Sequence, residues 1–502
     1  MRALDLAIIA VFLVGTPLLG IALSGKQRTS TDYFVGSRQV PWWAVTFSVV
    51  ATETSTLTVI SVPTVAYLGN VTYLQLAIGY LIGRVLVAFV LLPRYYTGNL
   101  VSAYGFLGKR FGNGLQGTAS VTFLVTRLLA DGVRLFATAI PVKLVLAGLG
   151  MDVPYWVIIA AIAVFAVIYT YLGGIRAVIW VDVVQMGIYV LGAVAAVVVL
   201  AGKLPDGWLA SAFDAGKFQF FDFSPDLLTN PYAFGTAVVG GALFAMASHG
   251  ADQLMVQRLL ACRTVRDSQK AVIASGGVVF VQFALFLLVG AMLWSFYRGA
   301  SPEALGLAAT DELFPRFIVE QLPSGLSGLL IAGILAAAMS TISSSLNSLS
   351  TSTVSDIYQH VTKRRLPDEV VLSRAKLWTL LWAGVFVLFA SMFTSTEQPV
   401  VEVGLSIASY TYGALLGAFF LGIVVKRARQ ADAIVAFGCT IAVSATFVLG
   451  IEFTVDGEPT SLAFPWYVPL GVLVTLLVGG LLSLRHSSPD PKTRQPQHQE
   501  AA

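Results

Sequence analysis

The residues whose types and spacing could do chemistry lie in Ala336-Ala337-Ala338-Met339-Ser340-Thr341-Ile342-Ser343-Ser344-Ser345-Leu346-Asn347-Ser348, a hydroxyl run inside an apolar stretch. On a helix, Ser340, Thr341, Ser344 and Ser348 share one face. An unpartnered hydroxyl in hydrocarbon costs free energy, so this face is expected to hold a polar guest, and its oxygens suit a small desolvated cation, sodium. Asp182 supplies an acid at comparable depth. It follows Arg176 by six residues, roughly 9 Å of helix at 1.5 Å per residue. With Ser343 and Ser344 it would make a second cation site; otherwise it pairs with Arg176 or another basic residue. Hydroxyls in apolar helices also bond back to their own i−4 carbonyl or pack helix on helix.

Those elements must be membrane helices. The 502 residues are 56% hydrophobic and 12% charged, with a mean hydropathy of +0.79. This excludes an appended soluble catalytic domain, and a net charge of +4 is too small to suggest nucleic-acid binding. The two cysteines, Cys262 and Cys439, support neither a disulfide framework nor a metal cluster. No pairing of nucleophile with base stands at membrane depth, so an enzyme is not expected. The first apolar run, residues 6–23, has no cleavage motif after it and reads as a retained helix.

Windows of about 20 apolar residues give an all-α polytopic protein with 13 transmembrane helices. A leader helix (5–24) precedes core helices 1 to 10, at 43–68, 72–97, 116–148, 154–173, 177–202, 231–258, 270–297, 325–357, 370–394 and 399–425. Accessory helices at 431–452 and 464–485 follow. The expected units are 1–40 (leader and cytoplasmic loop), 41–203 (core helices 1–5), 204–230 (extracellular loop), 231–427 (core helices 6–10), 428–486 (accessory helices) and 487–502 (disordered cytoplasmic tail). With the N-terminus outside, 22 of the 31 Lys and Arg residues fall in cytoplasmic segments, five outside and four within spans. This bias orients the chain N-out and C-in, in the plasma (inner) membrane. Residues 104–111 are expected to form a short interfacial helix, and loop 203–229 to cap the outer face.

Two core helices look broken. Core helix 1 carries Thr52-Glu53-Thr54-Ser55-Thr56 at mid-membrane and then Pro63, a poor lipid-facing helix. Core helix 6 carries Gly240-Gly241 and then Ser248-His249-Gly250-Ala251-Asp252. Interruptions at the first member of each five-helix set point to a 5+5 inverted repeat with its site at the breaks.

At these residues the chain resembles the sodium:solute symporter family, carriers of sugars, proline, pantothenate, sialic acid and iodide with a LeuT-like inverted-repeat fold. The matching stretches are Thr31-Asp32-Tyr33-Phe34-Val35-Gly36, Tyr171-Leu172-Gly173-Gly174 through Asp182-Val183-Val184-Gln185, Asp252-Gln253 through Gln257-Arg258-Leu259-Leu260-Ala261, and the core helix 8 run ending Asp356-Ile357-Tyr358. The resemblance implies a first sodium site from the main-chain carbonyls of Ala51, Thr54 and Ala337 with the hydroxyls of Ser340 and Thr341. It implies a second from Asp182, Ser340, Ser343 and Ser344, and so one or two coupling ions. Thr54 replaces an apolar residue often found there, which a main-chain ligand tolerates. Leu254 stands where some sugar carriers have an aromatic residue, which weakens a sugar assignment.

The solute pocket is then expected between core helices 1, 2, 3, 6 and 10. Its residues would be Glu53, Ser55, Thr58, Gln75, Arg134, Ser248, His249 and Tyr412, with Arg127 and Tyr410 nearby. Arg127, Asp131 and Arg134 at i, i+4 and i+7 leave a surplus of positive charge that suits a carboxylate, and Arg134 is the chosen ligand. Glu53 would face a substrate amine or bear on the sodium. His249 reads as a satisfied polar residue at the break rather than a proton carrier. The expected function is sodium-coupled import of a small carboxylate or zwitterion by alternating access, a monomer sufficing. The alternatives are a proton-coupled carrier using Glu53, Asp182 or His249, and a solute-binding sensor or passive channel.

Overall fold

The computed structural model describes residues 3–25, 27–98, 100–147, 151–307, 310–358, 367–393, 400–455 and 458–490. Among these, nine helices are long and apolar enough to cross a membrane, ten if the bent pair in residues 42–68 is one crossing. The expected 13 are not reached by length and composition alone, for physical reasons. Core helix 3, Asn113–Ala147, is 35 residues long but carries Arg127, Asp131, Arg134 and Lys143. Core helices 4 and 5 run together as Tyr155–Ala201, whose 47 residues would extend about 70 Å if straight, roughly two bilayer cores. That helix kinks at Gly174, φ 54° and ψ −153°, a conformation open only to glycine. A Cβ there would lie 2.7 Å from the Tyr33 carbonyl oxygen. Core helix 10 runs Val400–Val424.

Core helix 1 is Trp42–Glu53 followed by Thr56–Leu68, with a 63° bend between the two pieces. The break falls at Thr54 and Ser55, whose backbones are extended, and Pro63 lies about two turns further on, inside the second piece. Core helix 6 runs through Phe234–Met246, makes a π turn over Ala247–Ala251, breaks at extended Asp252 and resumes as Gln253–Leu259. Gly240-Gly241 is therefore no interruption. These glycines sit in unbroken helix packed against a neighbour: a Cβ on Gly241 would meet the Leu76 carbonyl oxygen at 3.0 Å, and one on Gly79 of core helix 2 would meet that of Val238 at 2.6 Å.

The remaining long helices are Val265–Phe296, Leu326–Ser352 and Asp368–Ser391, with accessory helices Gln430–Gly450 and Tyr467–Ser483. A two-stranded hairpin, Glu452–Val455 with Glu458–Ser461, joins the accessory pair. Core helix 8, Leu326–Ser352, is central: it packs along Tyr155–Ala201 and almost all its residues are buried. Outside, the loop after core helix 5 folds a short helix, Trp208–Asp214, and its Lys217 ammonium donates to the carbonyls of Tyr67 and Gly69 at 2.7 and 2.8 Å, capping core helix 1. Inside, Tyr104–Arg110 forms the short helix expected there. The segment expected to be a disordered tail begins docked, with the Asp490 carboxylate 3.3 Å from Arg110; its residues 491–502 lie outside those described.

The stretches that carry the resemblance meet at one end of the helix bundle. Thr29 and Asp32 form a capping box on Ser30–Val35, Tyr33 fills the space at Gly174, and the Phe34 carbonyl accepts from Gln257 at 2.7 Å. Gln257 also donates to Asn347 and Thr351 of core helix 8 at 2.6 and 2.9 Å. A backbone bond from the Val40 N–H to the Ala261 carbonyl, 3.1 Å, joins the approach to core helix 1 with the end of core helix 6.

Candidate functional site

The break in core helix 1 frees carbonyls at the end of Trp42–Glu53: that of Val50 still accepts from the Thr54 N–H at 2.9 Å, and those after it have no further helical turn to bond. Core helix 8 lies across this gap and is tied to it on both sides. Below, the Thr52 and Ser344 hydroxyls are 3.3 Å apart; above, the Thr56 hydroxyl donates to the Ile334 carbonyl at 3.3 Å. Thr54 on one side, and Ala337, Ser340 and Thr341 on the other, fall along the stretch those ties bracket, with Ala51 one residue outside it. The Thr341 hydroxyl donates to the Ala337 carbonyl at 3.1 Å and that of Ser340 to Asp182 at 2.7 Å. Each donation uses the hydroxyl hydrogen and leaves oxygen lone pairs for a cation.

Asp182 is fully buried and accepts from Ser340 and, at 2.5 Å, from Ser48. Its ion-pair partner is Arg258 of core helix 6, 3.4 Å away, not Arg176. Arg258 also donates to Ser344, to Ser48 at 3.0 Å and to the Leu254 carbonyl at 2.8 Å. A guanidinium thus neutralises the carboxylate expected to hold a second ion. Ser343 and Ser344 turn back to the Ser340 carbonyl.

The pocket residues are more fully paired than the spacing implied. Glu53 is held by Arg84, whose guanidinium is buried and donates also to Ser275 at 2.9 Å. An expected contact of Glu53 with a substrate amine thus gives way to an internal ion pair. His249 Nε2 lies 3.7 Å from Glu53, too far for a hydrogen bond, and has no other hydrogen-bond partner, while its Nδ1 is 2.8 Å from Ser248 Oγ. The imidazole is therefore only half satisfied. Arg127 is not surplus: it pairs with Asp252 and bonds Tyr412. Asp131 serves Arg134 at 3.1 Å, Arg127 at 3.5 Å and the Ser345 hydroxyl. Arg134 is the exposed member, its side chain 20% accessible against 5% for Arg127. Gln75 donates to the Tyr232 carbonyl at 2.7 Å and accepts from the Asp222 N–H at 3.2 Å, anchoring the loop between core helices 5 and 6. Ser55 and Thr58 stand at the start of the second piece of core helix 1. Arg84, Asp252 and Ser48 escaped the sequence reading; Arg84 and Asp252 were visible as charges near the breaks, whereas nothing marked Ser48.

Two broken helices crossing a hydroxyl-lined helix, with carbonyls and hydroxyls in the crevice and ion pairs around it, define an integral membrane carrier with cation and solute sites at mid-membrane. The chain belongs to the sodium:solute symporter family, whose model matches residues 33–438. It is 31% identical over 485 residues to the sodium/sialic acid symporter SiaT of Proteus mirabilis, covering 95% of this chain and 94% of that one. It is 28% identical over 496 residues to the human sodium/iodide cotransporter, covering 96% and 75%. It is 28% identical over 457 residues to human sodium-coupled monocarboxylate transporter 1, covering 89% and 73%. Among solved structures, it superposes on a substrate-bound, outward-open Na+-coupled sialic acid symporter with a TM-score of 0.83 at 27% identity, covering 97% and 99% of the two chains. The protein is a sodium-coupled symporter and not an enzyme.

Proposed function

We propose that this symporter imports a small organic anion, a carboxylate or a zwitterion bearing one, by alternating access through 13 crossings with the N-terminus outside. The observation that carries the reading is charge balance. Four acids near the breaks, the partly buried Glu53 and the buried Asp252, Asp131 and Asp182, pair with Arg84, Arg127, Arg134 and Arg258, so these pairs sum to zero before any ion binds. A sodium ion held by Ala51, Thr54, Ala337, Ser340 and Thr341 adds one positive charge, which an anionic solute would neutralise. At about 10 Å and an effective dielectric of about 20, that attraction is about 1.7 kcal/mol, roughly 20-fold in affinity. Arg134 has the accessible guanidinium to receive the carboxylate. Binding both ligands favours the state in which the break and the pocket are assembled, and loss of sodium to the cytoplasm releases the solute.

The test is uptake by proteoliposomes under an imposed sodium gradient, across carboxylates, amino acids, sugars and vitamins. Arg134→Lys should reduce carboxylate uptake at least tenfold while sodium-dependent thermal stabilisation persists, because lysine cannot grip a carboxylate bidentately. Equal uptake by the two proteins, or a preference for neutral sugars, would refute the anion reading. Uptake driven by a pH gradient without sodium would favour a proton-coupled carrier instead.

A further inference from the structure

The last accessory helix, Tyr467–Ser483, packs against core helix 10 through a small residue: a Cβ on Gly479 would lie 2.6 Å from the Leu421 side chain. One residue on, Gly480 faces away from that contact, and a Cβ there would meet no atom within 4 Å. A groove opens beside the contact. Its volume, about 660 Å³, lies within the range of about 300–1,000 Å³ usual for bound small molecules. Its walls are apolar, with Val424, Leu481 and Leu484 being 68%, 67% and 68% exposed. Lys426 and Arg427, just past the end of core helix 10, also line it and are exposed. Nearby charges leave these two cations unbalanced. Arg110 is spent on the carbonyls of Gly422, Val425 and Ala428, at 3.1, 3.0 and 3.2 Å, and on the Asp490 carboxylate. Asp432 is held by Arg485 and His486. Lys426 and Arg427 have no ion-pair partner among the described residues. Two uncompensated cations at one end of an apolar groove between membrane helices suit a molecule that is anionic at its head and hydrocarbon along its length.

We propose that this groove binds one anionic phospholipid of the surrounding leaflet, its phosphate on Lys426 and Arg427 and an acyl chain along Val424, Gly480, Leu481 and Leu484. Two observations favour lipid over other occupants. The groove is continuous with the exposed apolar flank of the last helix, where Leu473 and Leu477 are also exposed, so a lipid enters sideways without leaving the bilayer. A free phosphate would use the two cations and leave the apolar walls uncovered. Residues 491–502, which follow the docked Asp490, carry no large apolar side chain, and their Lys492 and Arg494 have the same sign of charge as the groove. The site is separate from the cation crevice and the solute pocket, and the inference holds whatever the solute is.

The experiment is native mass spectrometry of the purified full chain, delipidated in detergent and titrated with phosphatidylglycerol, phosphatidylcholine or inorganic phosphate. The wild type should hold one phosphatidylglycerol about tenfold or more tighter than phosphatidylcholine. Lys426→Gln combined with Arg427→Gln should abolish that preference. Gly480→Phe, which fills the groove from the face away from Leu421, should weaken phosphatidylglycerol binding about fivefold or more. Arg263→Gln combined with Arg266→Gln, an exposed basic pair in the loop after core helix 6, should leave it unchanged. Should Gly480→Phe fail to fold, the Lys426 and Arg427 variant decides the matter alone. Equal binding of the two lipids, unchanged binding in the Lys426 and Arg427 variant or in a folded Gly480→Phe, or an equal loss in the Arg263 and Arg266 control overturns the site. Displacement of phosphatidylglycerol by inorganic phosphate would make it a free-anion site, and lipid binding seen only after deletion of residues 491–502 would make the tail its occupant; either result overturns the proposal.

Discussion

Ser340 does two jobs with one oxygen. Its hydrogen goes to Asp182, and its lone pairs would serve the sodium ion proposed above. Removing a ligand from an ion site costs about 1.5–3 kcal/mol on the scale of charge-assisted bonds, roughly 10-fold to 100-fold in affinity. Ser340→Ala and Thr341→Ala should each raise the sodium concentration for half-maximal uptake by such a factor, and unchanged sodium dependence in both would remove the site. Asp182→Asn strands Arg258 in the interior. Breaking a buried pair costs about 3–5 kcal/mol, so this variant should unfold at clearly lower temperature, which a melting curve of the detergent-solubilised protein checks. Here the sequence was informative about which oxygens matter and poor at pairing them. Residue types flagged Ser340, Thr341 and Asp182, but the partner of Asp182 depends on how the second piece of core helix 6 crosses core helix 5, and no local spacing encodes that.

At the scale of elements, polar residues at mid-membrane revealed that core helices 1 and 6 are broken, but not always where. Thr54 and Ser55 lie inside the stretch that drew suspicion, because hydroxyls there can satisfy the freed backbone: the Thr54 hydroxyl bonds back to Val50 at 2.8 Å and accepts from Gln282 at 2.8 Å. Gly240-Gly241 misled because glycine breaks helices in water yet in lipid serves close packing. Core helices 2 and 6 touch backbone to backbone along Gly79, Gly83 and Gly241. Gly79→Ala would place a Cβ 2.6 Å from a carbonyl oxygen on the rigid neighbouring helix. The helices would have to part, at an expected cost of about 1–3 kcal/mol of overpacking, seen as lowered thermal stability and reduced uptake.

For the whole molecule, composition and hydropathy made the membrane class plain. The number of crossings was harder, because a charged helix such as Asn113–Ala147 and a double-length one such as Tyr155–Ala201 defeat simple windows. The solute is hardest to read, since it depends on a sum over ion pairs drawn from five different core helices. That sum makes a prediction. With Asp182 already neutralised by Arg258, one sodium should accompany each monovalent anion, so uptake should not respond to an imposed membrane potential. Each additional uncompensated charge moving inward would instead gain about 2.3 kcal/mol per 100 mV, and strong acceleration by a negative interior would show it.

The short backbone link between Val40 and Ala261 yokes the inner portions of the two interrupted helices. A swing of one without the other would have to break that bond, worth about 0.5–1.5 kcal/mol, so the gate at this end should open as a single leaf, hinged at both discontinuities at once.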